Sequence, residues 1–237
     1  MFMKAVRDET IQMEEYEELA SGWLNMTRES AAPRTTGRRL VSLRGFARWA
    51  GYPNVLLEYS APRAGRGIPH PLREGKDGIQ RLIKACRNPQ EAALIGLMGF
   101  GSCRVSEALS ITVKSFDIDG MILTIRGKGD KTRLIPVSVD LWESTQRAYL
   151  DAAMREDQHL ILTKNRSARK AVTRIGVKAG ISRAISSHDL RMTFGTEVFD
   201  KTSNLRVTQE LLGHASSNTT ELYTGVTLKK MKEAVEF

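Results

Sequence analysis

The chain has 237 residues and carries 36 lysines and arginines against 27 acidic residues, a net charge of +9 at pH 7. That length suffices for one or two domains with cores of their own, and the basic excess makes a polyanion the natural partner. Cys86 and Cys103 have neither metal-ligand spacing nor a disulfide framework, and no signal peptide or apolar stretch of spanning length appears, so the expectation is a soluble cytoplasmic protein with no metal, no cofactor and no membrane association.

Charge is uneven from the start of the chain. Residues 1–29 hold seven acids and three bases, whereas residues 30–70 hold seven arginines and the single acid Glu58. The second stretch is expected to face the polyanion and the first to face away. Leu40, Leu43, Phe46, Ala47 and Ala50 recur at three- and four-residue steps, which predicts an amphipathic helix stopped by Gly51-Tyr52-Pro53. Arg44 and Arg48 then share an outer face, with Arg34, Arg38 and Arg39 near the helix start, and all five are candidate phosphate contacts. Residues 60–71 hold three prolines and two glycines without apolar periodicity. They read as a basic linker in which Arg63 and Arg66 follow a phosphate backbone, letting two domains close around a duplex as a clamp.

Ala92 to Met98 form an unbroken apolar run that predicts a buried helix, and the Gly99-Phe100-Gly101-Ser102 break after it sets Arg104 at the start of the next helix, on a rigid base. Met121–Ile125 and Thr132–Val137 have strand character and flank two glycines and an aspartate, so Lys128 sits at a hairpin tip, with Lys131 and Arg133 beside it as further phosphate contacts. Residues 139–154 predict an amphipathic helix, 160–162 a short apolar segment, and 167–179 a basic helix ended by Gly180. Lys164, Arg166, Arg169, Lys170 and Arg174 there are candidate phosphate contacts, although a surface helix needs no ligand to explain such charge.

His188 and Arg191 are three residues apart, hence on one helix face. Leu212-Gly213-His214 reads as a helix end with Gly213 in a left-handed turn, and Tyr223 follows His214 by nine residues. Leu228, Met231 and Val235 make the stripe of a short final helix that must dock to be stable. Docking within the chain and docking on a neighbouring copy suit the pattern equally.

Two arginines, two imidazoles, a lysine and a tyrosine in this order suit attack on a phosphodiester. Such attack adds negative charge to oxygens that already bear it, so fixed cationic donors around phosphorus are the main requirement. Arginine supplies planar forks for two phosphate oxygens. A phenol of pKa about 10 is a usable nucleophile and a tolerable leaving group. Each piece alone is weak, since a lone tyrosine after a helix is usually a packing residue, but the ordered set is not.

Four segments resemble the tyrosine recombinase, or phage integrase, family: Gly99 to Leu109, Arg126 to Pro136, Ser187 to Thr196, and His214 to Tyr223. The resemblance implies that Arg104 and Arg191 clamp the scissile phosphate, that Tyr223 attacks it, and that Lys128 protonates the departing 5′-hydroxyl. It implies further that His188 assists proton transfer at the tyrosine, that His214 donates to the phosphate, and that Glu107 braces the site. Met192 stands where the family often has histidine, and Cys103 stands where an aliphatic residue is common. Cys103 reads either as a thiol sensitised by its arginine neighbour or, more simply, as a small buried side chain.

The implied fold has two domains: a small all-α core-binding domain (1–60), a linker (61–71), a catalytic domain of mainly α with a small antiparallel sheet (72–226), and a docking segment (227–237). The implied partners are double-stranded DNA attachment sites, other copies of the chain in a tetramer on DNA, and a recombination directionality factor or host DNA-bending protein. The setting would be the bacterial cytoplasm, in association with the nucleoid. The chain looks most like a small actinobacterial-phage (mycobacteriophage-type) integrase without an arm-binding domain, with simple attachment sites. An Xer-like chromosome or plasmid resolvase shares every motif, and a catalytically silent DNA-binding relative or a type IB topoisomerase-like nicking and closing enzyme is kept as a contrast.

Overall fold

Apolar residues at four-residue steps define the first helix among the described residues, α1 (Met13–Arg28), which buries Tyr16, Ala20 and Leu24. The computed structural model describes residues 13–28, 30–61, 70–127, 131–155, 157–213 and 228–237. The chain divides into two compact units, Met1–Ile68 and Pro69–Phe237.

In the first unit, α1 packs on α2 (Pro33–Trp49), which has Pro33 at its first turn and buries Thr36, Leu40 and Ala47. A proline there costs nothing, because that N–H has no helical partner. Tyr16 lies 5.9 Å from Phe46, ring to ring, and donates its hydroxyl to the Leu43 carbonyl at 3.2 Å. The helix stops at Ala50, followed by Gly51 at φ +92°, where glycine has no steric penalty. The chain then folds back: Arg44 donates to the carbonyls of Leu56, Leu57 and Tyr59, and Glu17 accepts from the Leu56 amide at 2.8 Å.

The second unit is mainly helical with one small sheet. Helix α3 (Gly75–Lys84) leads to α4 (Pro89–Gly99), whose N-cap Asn88 accepts from the Glu91 amide at 2.9 Å. Residues 93–99 of α4 are all buried, so α4 is the axis on which α3 and the later helices pack. Leu94, Ile95, Leu97 and Met98 in this run each contribute roughly 2 kcal/mol through burial.

After α5 (Val105–Ser110) and a 3-10 turn (Val113–Ser115) come β1 (Phe116–Asp117), β2 (Ile122–Arg126) and β3 (Thr132–Pro136), antiparallel in the order β1-β2-β3. Ile125 pairs with Arg133 and Leu123 with Ile135. Helix α6 (Val139–Ala153) lies close on α4, where a Cβ on Gly96 would come within 1.9 Å of Ser144 Oγ. Helices α7 (Asn165–Lys178), α8 (Ser187–Thr202), α9 (Leu205–Leu212) and α10 (Leu228–Val235) complete the unit. The segment 160–162 forms no strand, although the Leu160 amide donates to the Ile111 carbonyl at 3.1 Å.

Helix α10 docks within its own chain, against β3, α8 and α9. Ala234 and Val235 are buried, and Phe237 lies between Phe100 and Phe194 at 6.3 and 6.0 Å. Lys76 and Lys201 donate to the carbonyls of Phe237 and Glu236. Among the described residues, no helix is long and apolar enough to cross a membrane.

Candidate active site

The break after α4 sets up the first part of the site. Ser102 takes a left-handed conformation, φ +53°, which is uncommon for a residue with a Cβ. Its buried hydroxyl donates to the Leu211 carbonyl at 2.6 Å, and its own carbonyl accepts from both Arg133 and Arg191. Arg104 follows as the N-cap of α5. Its amide donates to Glu107 Oε2 at 2.8 Å and its Nη1 to Oε1 at 2.7 Å, so the side chain is braced at the helix start while remaining 48% exposed.

Glu107 is 4% exposed and is the common partner of three guanidiniums. Arg133 reaches Oε2 at 2.8 Å, Arg104 reaches Oε1 at 2.7 Å, and Arg191 stands 3.9 Å from Oε2. Burial pushes the Glu107 carboxyl up, but the hydrogen bonds from Arg133 and Arg104 outweigh it and hold the group at about 2.

Arg191 lies in the second turn of α8, whose N-terminus is closed by Asp189: its carboxylate accepts from the Ser186 amide and hydroxyl at 2.7 and 3.0 Å. That cap fixes the helix start, and with it His188, which is exposed and one turn before Arg191 on the same face. Arg191 itself is 5% exposed and donates to the Ser102 and Leu212 carbonyls. Burial, followed by the like charges of Arg104 and Arg133, pulls its guanidinium down to about 10. Three cations against one carboxylate leave an excess of positive charge, partly shielded from water. Such an arrangement favours an incoming anion.

Lys128, His214 and Tyr223 lie outside the described residues, as do Arg63 and Arg66. Residues that flank two of these positions are described and meet at the same cluster. A Cβ on Gly127 would lie 3.5 Å from Glu107 Oε1, and one on Gly213 would lie 2.9 Å from Arg133 Cδ. Gly213 ends α9 in the left-handed conformation, φ +59°. Segments distant in sequence thus converge on Glu107 and Arg133.

The expected phosphate contacts divide into two groups. Arg34, Arg38, Arg48, Lys131, Lys164, Arg166, Arg169 and Lys170 are exposed, Arg169 donating to Asn165 Oδ1 at 2.8 Å and Arg34 also interacting with the protein. Four others are engaged by the protein. Arg44 departs from the outer face it was expected to share with Arg48, because its guanidinium is held by three carbonyls. Arg39 lies over the Trp23 ring at 5.1 Å, and Arg174 pairs with Glu91 at 2.5 Å. Arg133, expected at the hairpin surface, is 13% exposed and points to Glu107.

The missing signal for Arg133 was strand alternation: Arg133 and the buried Ile135 are two apart on β3 and therefore share a face. Ser102 carried only its place in a glycine-containing break. Cys103 is fully buried and its thiol is pushed up to about 12 by burial, so it is a small core side chain rather than a reactive thiol.

Residues 75–230 match the model of the phage integrase family. Among curated proteins, the tyrosine recombinase XerD of Bifidobacterium longum is 33% identical over 239 residues, covering 89% of this chain and 76% of that protein. The tyrosine recombinase XerA of Pyrococcus horikoshii is 28% identical over 207 residues, covering 83% of this chain and 71% of that one. In fold, the chain is similar to an integrase from mycobacterium phage Brujita, with a TM-score of 0.61, 24% identity, and coverage of 96% of this chain and 78% of that one. It is also similar to the XerH site-specific recombinase bound to its difH substrate, with a TM-score of 0.67, 23% identity, and coverage of 98% and 74%.

Proposed function

We propose, on the premise that this chain belongs to the phage integrase family and is a tyrosine recombinase, that it cuts and rejoins double-stranded DNA at specific sites through a 3′-phosphotyrosyl intermediate. The observation that carries this reading is the group of three guanidiniums around Glu107, held in place by Ser102 and the α5 cap. A phosphodiester is a fitting counterion for the excess positive charge. Donors fixed in advance also stabilise the further charge that develops on its oxygens during attack.

In the proposed step the Tyr223 oxygen attacks phosphorus, forming a phosphorus–oxygen ester as the bond to the 5′-oxygen breaks. Lys128 gives its proton to that departing oxygen, and His188 accepts the phenolic proton. Arg104 and Arg191 hold the two non-bridging oxygens, and His214 donates to one of them. Attack by a 5′-hydroxyl from the other duplex reverses every transfer and releases Tyr223. The phosphoester energy is kept in the tyrosyl bond, so the residues named here complete the cycle.

Four protomers on two sites, exchanging strands through a Holliday junction, is the assembly that fits this chemistry. A directionality factor or a host DNA-bending protein would choose the outcome. The unit ending at Ile68 would supply core-site contacts through its exposed arginines, Arg38 and Arg48 among them.

Integration and excision of a phage genome is the biological setting proposed from the sequence. A second setting, Xer-like resolution of chromosomes or plasmids, is favoured by the similarity to curated Xer recombinases. Incubation with fragmented phage and host DNA carrying nicks, followed by sequencing of the DNA ends attached to protein, tests both. Ends from phage–host junctions support integration, and ends from a single chromosomal or plasmid site support resolution. Tyr223→Phe should abolish the covalent adduct while leaving DNA affinity unchanged; an adduct that persists removes Tyr223 as nucleophile.

A further inference from the structure

Arg133 makes contacts that the proposed chemistry does not use, and they join segments far apart in sequence. It stands on β3, the strand leaving the Lys128 hairpin, paired across the sheet with Ile125. Its Nη2 donates to Glu107 at 2.8 Å and to the Ser102 carbonyl at 3.3 Å, which ties it to both flanks of Arg104. Gly213, immediately before His214, sits so close to its stem that a Cβ there would come within 2.9 Å of Cδ. At the root of the same hairpin, the Gly127 amide donates to the Lys131 carbonyl at 2.8 Å, and a Cβ on Gly127 would lie 3.5 Å from Glu107 Oε1.

With 13% of its side chain exposed, Arg133 faces the Glu107 carboxylate. Glu107 and the Ser102 carbonyl already occupy its Nη2, and the stem is covered by Gly213. Those contacts suit a residue that holds other groups in register. A strand that carries a hairpin tip needs an anchor at its base if the tip is to reach one point repeatedly, and a displacement of about 1 Å at a reacting centre costs about 100-fold in rate.

We infer that Arg133 is a positioning residue that ties the base of the β2–β3 hairpin, at Gly127, and the end of α9, at Gly213, to the Glu107-braced arginine pair. This rests on the recombinase reading above, in which Lys128 serves as the acid for the 5′-oxygen. Its effect on the rate is therefore transmitted through the hairpin to the leaving group.

Two measurements on the full chain test this, with Arg133→Met, which keeps the stem against Gly213, and Arg133→Lys as the second variant. The first needs no DNA. Amide exchange at Gly127 and at Gly213 should quicken by about tenfold in Arg133→Met, while residues 93–98 of the central helix keep wild-type exchange. Unchanged exchange at both glycines overturns the inference, and faster exchange throughout the helix reduces Arg133 to a general fold determinant and overturns it equally.

The second measurement uses nicked duplexes bearing the site recovered from trapped complexes, with either an ordinary phosphodiester or a 5′-bridging sulfur at the scissile position. Sulfur leaves without a proton, so a misplaced lysine no longer matters. Arg133→Met should form the tyrosyl adduct about 100-fold more slowly than wild type on the ordinary substrate, and recover most of that loss on the sulfur substrate. Arg133→Lys, whose single ammonium does not reproduce the fork, should behave in the same way. Equal defects on both substrates, or none on the ordinary one, overturn the inference alone. No adduct from the unsubstituted protein on either substrate overturns the recombinase reading and this inference with it.

Discussion

Arginine occupies two different physical settings in the two units. In the second unit Arg133 and Arg191 are almost fully buried around Glu107, each held by backbone carbonyls, and Arg104 is braced at its exposed end. In the first unit Arg38 and Arg48 are exposed. A buried guanidinium is costly to place, fixed once placed, and little screened by salt; an exposed one is cheap, mobile and strongly screened. Under the function proposed above, the cluster around Glu107 suits action on one phosphate, and exposed arginines such as Arg38 and Arg48 suit weak contacts along a duplex.

Removing the shared counterion is the most severe way to break this contrast. Glu107→Ala leaves Arg133 and Arg191 as uncompensated buried charges and should cost about 3–5 kcal/mol in denaturant unfolding at pH 7. Next in size, Arg191→Ala should slow adduct formation by roughly 10²–10³, the usual loss for one fixed donor at a developing oxyanion, when single-turnover rates are measured at saturating protein.

Acid sharpens the same comparison. The folded Glu107 titrates at about 2, below an unfolded glutamate at about 4.3. Its stabilising contribution is complete above about pH 4.3 and is lost as pH falls towards 2. Wild-type stability should therefore drop more steeply than that of Glu107→Gln across that window, as read from urea midpoints at successive pH values. Matching curves would mean that the carboxylate carries no differential charge energy.

The smallest effects divide two arginines one helical turn apart. Arg44→Ala frees the carbonyls of Leu56, Leu57 and Tyr59 and should cost about 1–3 kcal/mol of stability, without altering the salt dependence of DNA binding. Arg48→Ala should leave stability within about 0.5 kcal/mol and flatten the slope of log affinity against log salt by about 0.9. The reverse pattern would exchange their roles.

Periodic features were the legible ones. The apolar run in α4, the strands of the hairpin and the amphipathic helix after it all appear within a few residues of where the sequence places them, because burial imposes a repeat that single residues reveal. Arg44 shows the limit of that reasoning. Helix geometry puts it one turn from Arg48, yet the chain beyond Gly51 folds back and offers it three carbonyls, a contact that no local repeat encodes. The two-residue strand β1 was equally silent, being too short to show alternation. Arg133 carries two opposed signals: lysine and arginine around a glycine-rich tip suggest a solvated surface, while its spacing from Ile135 points inward.

Helix α10, seated on β3, α8 and α9, competes for its groove with an advantage of connectivity. A segment on the same polypeptide is present at an effective concentration on the order of millimolar, whereas the equivalent helix of another copy at micromolar concentration is about a thousandfold more dilute, a handicap of about 4 kcal/mol. Exchange of tails between copies in free solution is accordingly suppressed. If such exchange accompanies recombination, the nucleic acid must supply the crowding, by pinning several copies side by side until the neighbour's tail is as near as the chain's own.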